Sequence, residues 1–264
     1  MEDKAATGGR ALVFVHGYLG FSEFSLLGFR IAYFRKLRKA LADCGAPLYF
    51  PRVAAAGSIE QRAHDLARFL AQVPEQEICL VGHSMGGLDG RYLIHRLDPD
   101  HRVRALVTVS TPHRGSAIAD WAFASRSIVA WLLRRIGRPG LDDLRPASVA
   151  QFNRDTPDRF DVAYRSYAGV RTRRAMPSWW RYWHGLLQRD EGDNDGLVSL
   201  TSARWGEYGK TEAMDHCEAV GWNLGLSRRS VHRPFDHVPF YRGIVSELLH
   251  RGAVTSRITD EAGD

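Results

Sequence analysis

The sequence is short of several things that define whole classes of protein. It has three cysteines, Cys44, Cys79 and Cys217, an odd set with no Cys-x-x-Cys spacing. That excludes a disulfide scaffold and a cysteine-ligated zinc site. No stretch reaches the roughly 18 consecutive apolar residues that cross a bilayer, so no transmembrane segment is expected. Residues 1–9 contain no apolar run that could act as a signal peptide, so the chain reads as cytoplasmic or as a mature secreted form. The 25 Gly and 11 Pro show no period, and no repeat or Pro/Ser-rich linker divides the chain. Charge of either sign is not in large excess: 36 Lys+Arg stand against 30 Asp+Glu, a net +6. The arginines form small scattered groups (Arg134 and Arg135; Arg171, Arg173 and Arg174; Arg228 and Arg229), which read as solvated surface and not as a nucleic-acid interface.

What remains is an ordinary globular composition, 44% hydrophobic and 25% charged, with length enough for a sizeable core. Residues 11–15 (Ala-Leu-Val-Phe-Val), 77–81 and 105–109 are short apolar runs ended by turns and read as buried strands. Further strands are expected at 48–50, 162–168 and 197–199. Helical patterns cover 22–44, the stretch from Ser58 to about 73, and the stretch after Ser84 to about 97. Another runs over 239–250. Ser58 followed by Gln61 forms a capping box. Strands alternating with helices imply an α/β fold with a mostly parallel sheet covered on both faces. Between about 115 and 155 the alternation stops and only helical pattern is found. One domain, 1–264, with an insert is expected.

Gly82-His83-Ser84-Met85-Gly86 is a Gly-x-Ser-x-Gly segment between an expected strand and an expected helix. A serine on such a tight turn is pushed out at the carboxyl end of the sheet. A hydroxyl is a weak nucleophile, so a base must take its proton and a third group must orient the base. The acid candidates that follow are Asp190, Glu191, Asp193 and Asp195. Asp195 is favoured because it begins a turn at a strand, where a carboxylate can be fixed. The base candidates are His216, His232, His237 and His250. His216 is favoured because it lies on a loop, whereas His237 and His250 sit at the ends of the closing helix. Two N–H groups are needed for the developing oxyanion. Met85, after the serine, supplies one, and Tyr18 in the His16-Gly17-Tyr18-Leu19-Gly20 loop supplies the other.

These segments, together with Ser110-Thr111-Pro112-His113-Arg114-Gly115-Ser116, Phe152-Asn153, Asn194-Asp195-Gly196-Leu197-Val198 and Asp215-His216, occur in the order found in bacterial true lipases of the α/β-hydrolase fold. Residues 11–116 resemble the Pseudomonas/Burkholderia-type lipases, and the Asp-His-x-Glu-x-x-Gly segment resembles the Geobacillus type. The resemblance implies Ser84 as nucleophile, Asp195 as acid, His216 as base, and the backbone of Tyr18 and Met85 as oxyanion donors. It also implies a structural calcium near the histidine loop, with Glu218 and Asn223 as side-chain ligands and Gly169 and Leu224 as carbonyl donors. Asn223 stands where the relatives have an aspartate, which lowers the charge available to the ion. No cofactor is required for the chemistry itself.

The insert is expected to be a lid. Ile118, Trp121, Ala122, Val129, Leu132, Leu133 and Ile136 fall on one helical face, and Phe123, Ile128 and Trp131 widen it. Ile118, Trp121, Trp131 and Leu132 are the expected substrate or lipid contacts. The cluster Trp179-Trp180-Arg181-Tyr182-Trp183 offers an acyl-binding wall, a lipid-facing surface or plain core. The whole reads as a serine carboxylester hydrolase, a lipase or esterase acting on acyl esters, with transient contact between the lid and a lipid interface. An acyltransferase using the same acyl-enzyme and a non-catalytic lipid-binding protein are the alternatives. The sequence carries no signal for the oligomeric state.

Overall fold

A computed structural model describes residues 9–20, 23–26, 29–223 and 234–260. In chain order the elements are β1 (Arg10–Val15), β2 (Glu23–Leu26), β3 (Phe29–Ala32), α1 (Leu37–Ala40), β4 (Leu48–Tyr49) and α2 (Ile59–Leu70). Then come β5 (Glu77–His83), α3 (Met85–Arg96), β6 (Val103–Val109) and the insert helices α4 (Ala117–Ala124), α5 (Ile128–Gly137), α6 (Gly140–Asp143) and α7 (Pro146–Asp155). The chain closes with β7 (Ala163–Gly169), α8 (Arg181–Asp190), α9 (Leu200–Ala203), β8 (Glu207–Glu212) and α10 (His237–Asp260).

Six strands form a parallel sheet in the order β4-β1-β5-β6-β7-β8. The central strands are apolar on both faces, and their period of two feeds two separate cores. Leu12, Phe14, Cys79, Val81 and Val107 face Tyr241, Ile244 and Val245 of α10. Ala11, Val13, Val15, Ile78, Leu80 and Leu106 face Leu66 and Leu70 of α2 and Leu93 and Ile94 of α3. A third cluster joins Met85 and Leu88 of α3 to Ala119, Ala122, Leu141, Leu144 and Val149 of the insert. The insert is thereby seated over the start of α3. The sheet order reverses beside β1, whose two neighbours β4 and β5 both follow it in sequence. The carboxyl ends of β1 and β5 therefore flank a crevice of the kind in which open α/β sheets bind ligands.

Three expected elements differ. Residues 22–44 are not one helix. β2 and β3 pair as an antiparallel hairpin in register Glu23 with Ala32 through Leu26 with Phe29, and only α1 is helical. Phe24, Phe29 and Ile31 are aromatic or β-branched and favour extended backbone. Residues 197–199 are not a strand. The Asp195 carboxylate accepts the N–H groups of Leu197 and Val198, which curls the chain into a turn, and Ser199 then caps α9. The sixth strand is instead β8, whose sequence Glu-Tyr-Gly-Lys-Thr-Glu has no apolar run because it lies at the sheet edge. The Ser58–Gln61 capping box is present on α2, and α10 extends on both sides of the expected 239–250. The insert face also differs. Residues 118–136 are two helices, because the chain breaks at Ser125 and Ser127 restarts α5 by accepting the Ala130 N–H.

Candidate active site

Ser84 stands between the end of β5 and the start of α3 with φ 55° and ψ −133°. A non-glycine residue in that region is strained by roughly 1–3 kcal/mol, which persists only where the surroundings fix it. Here both peptide groups are held: the Ser84 N–H donates to the Val109 carbonyl at 3.0 Å, and its carbonyl accepts from Thr111 Oγ1 at 2.7 Å. The turn needs Gly86, since a Cβ there would lie 2.4 Å from the Val15 carbonyl oxygen. The loop after β1 also needs Gly17, where a Cβ would lie 2.6 Å from Ser84 Cβ and 3.1 Å from its Oγ. The two loops are in van der Waals contact at the sheet's carboxyl edge.

His216 and Asp195 meet there. His216 Nδ1 lies 2.8 Å from Asp195 Oδ2, and the His216 backbone N–H donates to the Asp195 carbonyl at 3.0 Å. Asp195 is only 1% exposed. Its other oxygen accepts the Leu197 and Val198 N–H groups at 2.9 and 2.8 Å, so the carboxylate cannot rotate away. A carboxylate only accepts, so this bond is donated from the His216 Nδ1–H. Trp180 packs beneath this turn and donates from Nε1 to the Gly196 carbonyl at 3.1 Å. The His83 ring, next to Ser84, lies 4.6 Å from the His216 ring. Burial and the neighbouring His216 push the His83 pKa well down, so His83 stays neutral. Ser84 Oγ and His216 Nε2 are not hydrogen-bonded to each other; such a bond commonly tightens only around substrate.

The other candidates point elsewhere. Asp190 pairs with Arg189 at the surface, and Asp193 is exposed. Glu191 accepts the Ala117 N–H at 2.6 Å and so ties the start of α4 to the acid loop. His237 Nε2 bonds the Arg35 carbonyl at 2.7 Å, and His250 bonds the carbonyl of Ser246 on its own helix. His232 lies outside the described residues.

The loop after β1 is braced by groups the sequence did not reveal as such. Arg62 and Asp89, both fully buried, form an ion pair at 2.7 Å, and Arg62 also donates to the His16 carbonyl at 2.6 Å and to the Ala54 carbonyl at 2.8 Å. Burial raises the Asp89 pKa to about 6 even against the arginine. His16, lowered to about 4 by burial and by Arg62, is neutral; it accepts the Val53 N–H on Nε2 and donates from Nδ1 to the Gly17 carbonyl. The Tyr33 hydroxyl contacts the Gly17 backbone and bonds His83 Nδ1 at 2.8 Å, joining the loop after β1 to the residue before Ser84. One signal was readable: Arg62 occupies the buried stripe of α2 with Ile59, Ala63, Leu66 and Leu70, a place for a charge only if it has a partner. Neither the Tyr18 nor the Met85 N–H donates to a protein acceptor among the described residues. The Tyr18 ring turns toward the insert and packs against Gly137 and Gly140, and burial pushes its hydroxyl pKa up to about 12.

The insert divides the expected lid contacts. Trp121 faces inward, with its ring 4.5 Å from Trp183 and 6.0 Å from Tyr182; Ile118 is half-buried. Trp131 and Leu132 face solvent. Of the eight large hydrophobic side chains exposed among the described residues, five lie on α5: Ile128, Val129, Trp131, Leu132 and Ile136.

The calcium ligands do not fit that ion. Glu218 is gripped by the Arg171 guanidinium, Nε to Oε2 at 2.9 Å and Nη2 to Oε1 at 3.0 Å, and Oε2 also accepts the Asp215 N–H at 3.0 Å. A cation bound to this carboxylate would lie against a guanidinium of like charge. Gly169 ends β7, Asn223 has an interaction of its own, and Leu224 lies outside the described residues.

Among known proteins, a domain family of unknown function (DUF7379) matches residues 1–131. Triacylglycerol lipase 2 of Saccharomyces cerevisiae is 32% identical over 248 residues, covering 84% of this chain and 74% of that protein. A triacylglycerol lipase of Pseudomonas fragi is 26% identical over 272 residues, covering 84% and 91%. Among solved structures, the Staphylococcus hyicus lipase superposes with a TM-score of 0.71 at 18% identity over 97% of this chain and 99% of that one. A metagenomic carboxyl esterase superposes at 0.70 with 22% identity, covering 91% and 76%.

Proposed function

The chain belongs to the triacylglycerol lipase family of the α/β-hydrolase fold and is a serine carboxylic ester hydrolase; from that premise we propose that Ser84, His216 and Asp195 are its catalytic triad. The observation that carries this is the 2.8 Å bond between His216 Nδ1 and a fully fixed Asp195 carboxylate, at the same sheet edge as a serine held at φ 55°. Ser84 Oγ attacks the ester carbonyl carbon while His216 Nε2 takes its proton. Asp195 stabilises the imidazolium, and the N–H groups of Tyr18 and Met85 hold the oxyanion. When the tetrahedral intermediate collapses, the C–O bond breaks and His216 gives its proton to the departing alcohol. Water then attacks the acyl-enzyme with His216 again as base, releasing the acid and restoring Ser84.

Residues 1–264 act as one domain in this reading, with the insert at about 115–155 as a lid. Its inner side covers Met85 and Leu88 beside the site. Its outer side, the apolar face of α5, is the surface that would meet lipid. Arg126, Arg135 and Arg138 lie exposed around that face, and the sequence has no carboxylate between Asp120 and Asp142, so a negatively charged lipid surface suits it better than a neutral one. No described helix is long and apolar enough to cross a membrane.

The test is fluorophosphonate labelling, with Ser84→Ala as control, beside hydrolysis of p-nitrophenyl esters from short to long acyl chains. Labelling of the wild type alone, with turnover lost in the folded variant, supports the assignment. A folded Ser84→Ala protein with near-normal turnover overturns it.

A further inference from the structure

The loop that carries His216 is closed on itself and then fastened by an arginine from across the site. Asp215 Oδ1 accepts the N–H groups of Cys217 and Glu218, and Glu218 Oε2 accepts the Asp215 N–H in return. This reciprocal pair shapes the turn around His216, and Glu218 Oε1 also accepts the Phe235 N–H at 3.4 Å. Arg171, two residues beyond β7, adds a side-chain anchor to the direct bond from the His216 N–H to the Asp195 carbonyl. Its backbone N–H donates to the Asn194 carbonyl at 3.0 Å, immediately before Asp195, and its carbonyl accepts from His184 Nε2 of α8 at 2.7 Å. Its side chain forks onto both oxygens of Glu218, two residues after His216. We infer that Arg171 is a positioning residue for ester hydrolysis: its guanidinium does the work of a bound divalent cation in holding the histidine loop against the acid loop, and the enzyme is independent of calcium.

The chemistry of the donor set favours this. Both partners are largely buried, with side chains 12% and 9% exposed. Asp215, whose Oδ1 accepts the Cys217 and Glu218 N–H groups, adds a second acidic group to the same loop. A carboxylate there needs a positive neighbour, and the arginine together with the Asp215 and Phe235 N–H groups already occupies the oxygens that a metal would use. A buried ion pair gains little stability over apolar packing of similar volume. Its distinctive contribution is direction, because a planar fork fixes a carboxylate in both distance and angle, as a single ammonium does not. The beneficiary is the His216–Asp195 bond, whose two ends sit on the two loops Arg171 joins. A small shift of a catalytic group costs far more in rate than in substrate affinity.

The inference rests on His216 as the base. Its test therefore reads melting temperature as well as turnover, and Ser84→Ala reports on the triad separately. Wild-type enzyme is treated with EDTA, dialysed, and compared with and without millimolar calcium. Unchanged melting temperature and kcat are expected; loss on chelation with recovery on calcium overturns the proposal. Arg171→Gln should lower kcat on a soluble short-chain ester by about tenfold or more with KM nearly constant, and Arg171→Lys, which restores the charge but not the planar fork, should recover only part of that loss. Full kcat in Arg171→Gln, a change confined to melting temperature, or a lysine variant no better than glutamine would each overturn it. Should Arg171→Gln fail to fold, Glu218→Gln, which keeps the shape and one acceptor oxygen but loses the charge, is expected to show the same fall in kcat at constant KM, and normal kcat there would overturn the proposal.

Discussion

Replacing Asp195 with asparagine changes one atom in the site and tests what that atom does. The amide oxygen of the new side chain can keep the two bonds from the Leu197 and Val198 N–H groups, made in the wild type to Asp195 Oδ1 at 2.9 and 2.8 Å, so the turn should persist. The amide nitrogen then faces His216 Nδ1, which lies 2.8 Å from the Asp195 carboxylate in the wild type. Two N–H groups cannot share that space, so the imidazole must move its proton to Nε2, the atom that should receive the proton of Ser84. The base is thereby disabled and the imidazolium loses its counter-charge. General-base catalysis and the orienting carboxylate together are worth about 10³–10⁴-fold, or roughly 4–5.5 kcal/mol at 1.36 kcal/mol per decade. Stability should change by no more than about 3 kcal/mol, the upper range for one hydrogen bond to a charged group. The assay is kcat/KM on p-nitrophenyl butyrate for protein shown to be folded by its melting transition. Asp193→Asn is the matched control, since Asp193 is exposed and only its backbone carbonyl is engaged, by the Leu200 N–H. Retention of more than about a tenth of wild-type kcat/KM by Asp195→Asn, or a larger loss in Asp193→Asn, would refute the assignment of the acid.

Gly86→Ala should lower both melting temperature and kcat, because its Cβ would press on the Val15 carbonyl at 2.4 Å and part the two oxyanion loops; the cost is about 1–3 kcal/mol, and a melting curve equal to wild type would contradict the contact. Trp131→Ser and Leu132→Ser, both on the solvent face of α5, should reduce activity on emulsified long-chain esters and binding to anionic vesicles more than hydrolysis of a soluble C4 ester; equal losses on every substrate would make the insert a fixed cap. Stability should fall as pH drops below about 6.5. His16, His83 and His113 are held neutral in the fold with depressed pKa values, so the unfolded chain takes up protons first and the stability they contribute above 6.5 is lost on the way down. Asp89 and Asp215, raised from 3.8 to about 6, act in the opposite sense, favouring the fold below 3.8 and losing that contribution as pH rises through 6. A melting temperature that rises steadily from pH 7 to 5.5 would show that the histidines do not dominate.

The parts of this protein that could be read from sequence are those whose requirements are local. The elbow demands glycine at Gly86 because backbone approaches backbone there, and such a demand is written in adjacent residues. The central strands announce themselves because both faces are buried, which leaves no room for polar alternation. The capping box of Ser58 and Gln61 is likewise complete within four residues. The edge strand β8 was missed for the converse reason: with six polar or small residues and a solvated side, it looks like a loop until a parallel neighbour is supplied. The turn at 197–199 reads as a strand by composition, and only the Asp195 carboxylate, capturing two N–H groups, prevents it.

The same distinction separates the proposed reacting groups from the groups that hold them. Ser84 and its flanking glycines form one short segment, and Asp195 and His216 follow in the chain order that a nucleophile at the end of a strand requires. Arg62 reaches His16 across 46 residues, Glu191 reaches Ala117 across 74, and Arg171 reaches Glu218 across 47. Each of these three places a charge or carboxylate where composition alone would suggest surface, and each fastens a loop that carries a residue of the proposed site. Their spacing has no period and no fixed offset, because it depends on which strands the sheet makes neighbours. A resemblance carried residue by residue transmitted the calcium ligands for that reason: Glu218 was matched correctly in position, while the arginine that occupies its carboxylate lies in a different segment. The chemistry of a ligand is therefore settled by what faces it across the fold, and here that is a guanidinium in a plane that matches both carboxylate oxygens.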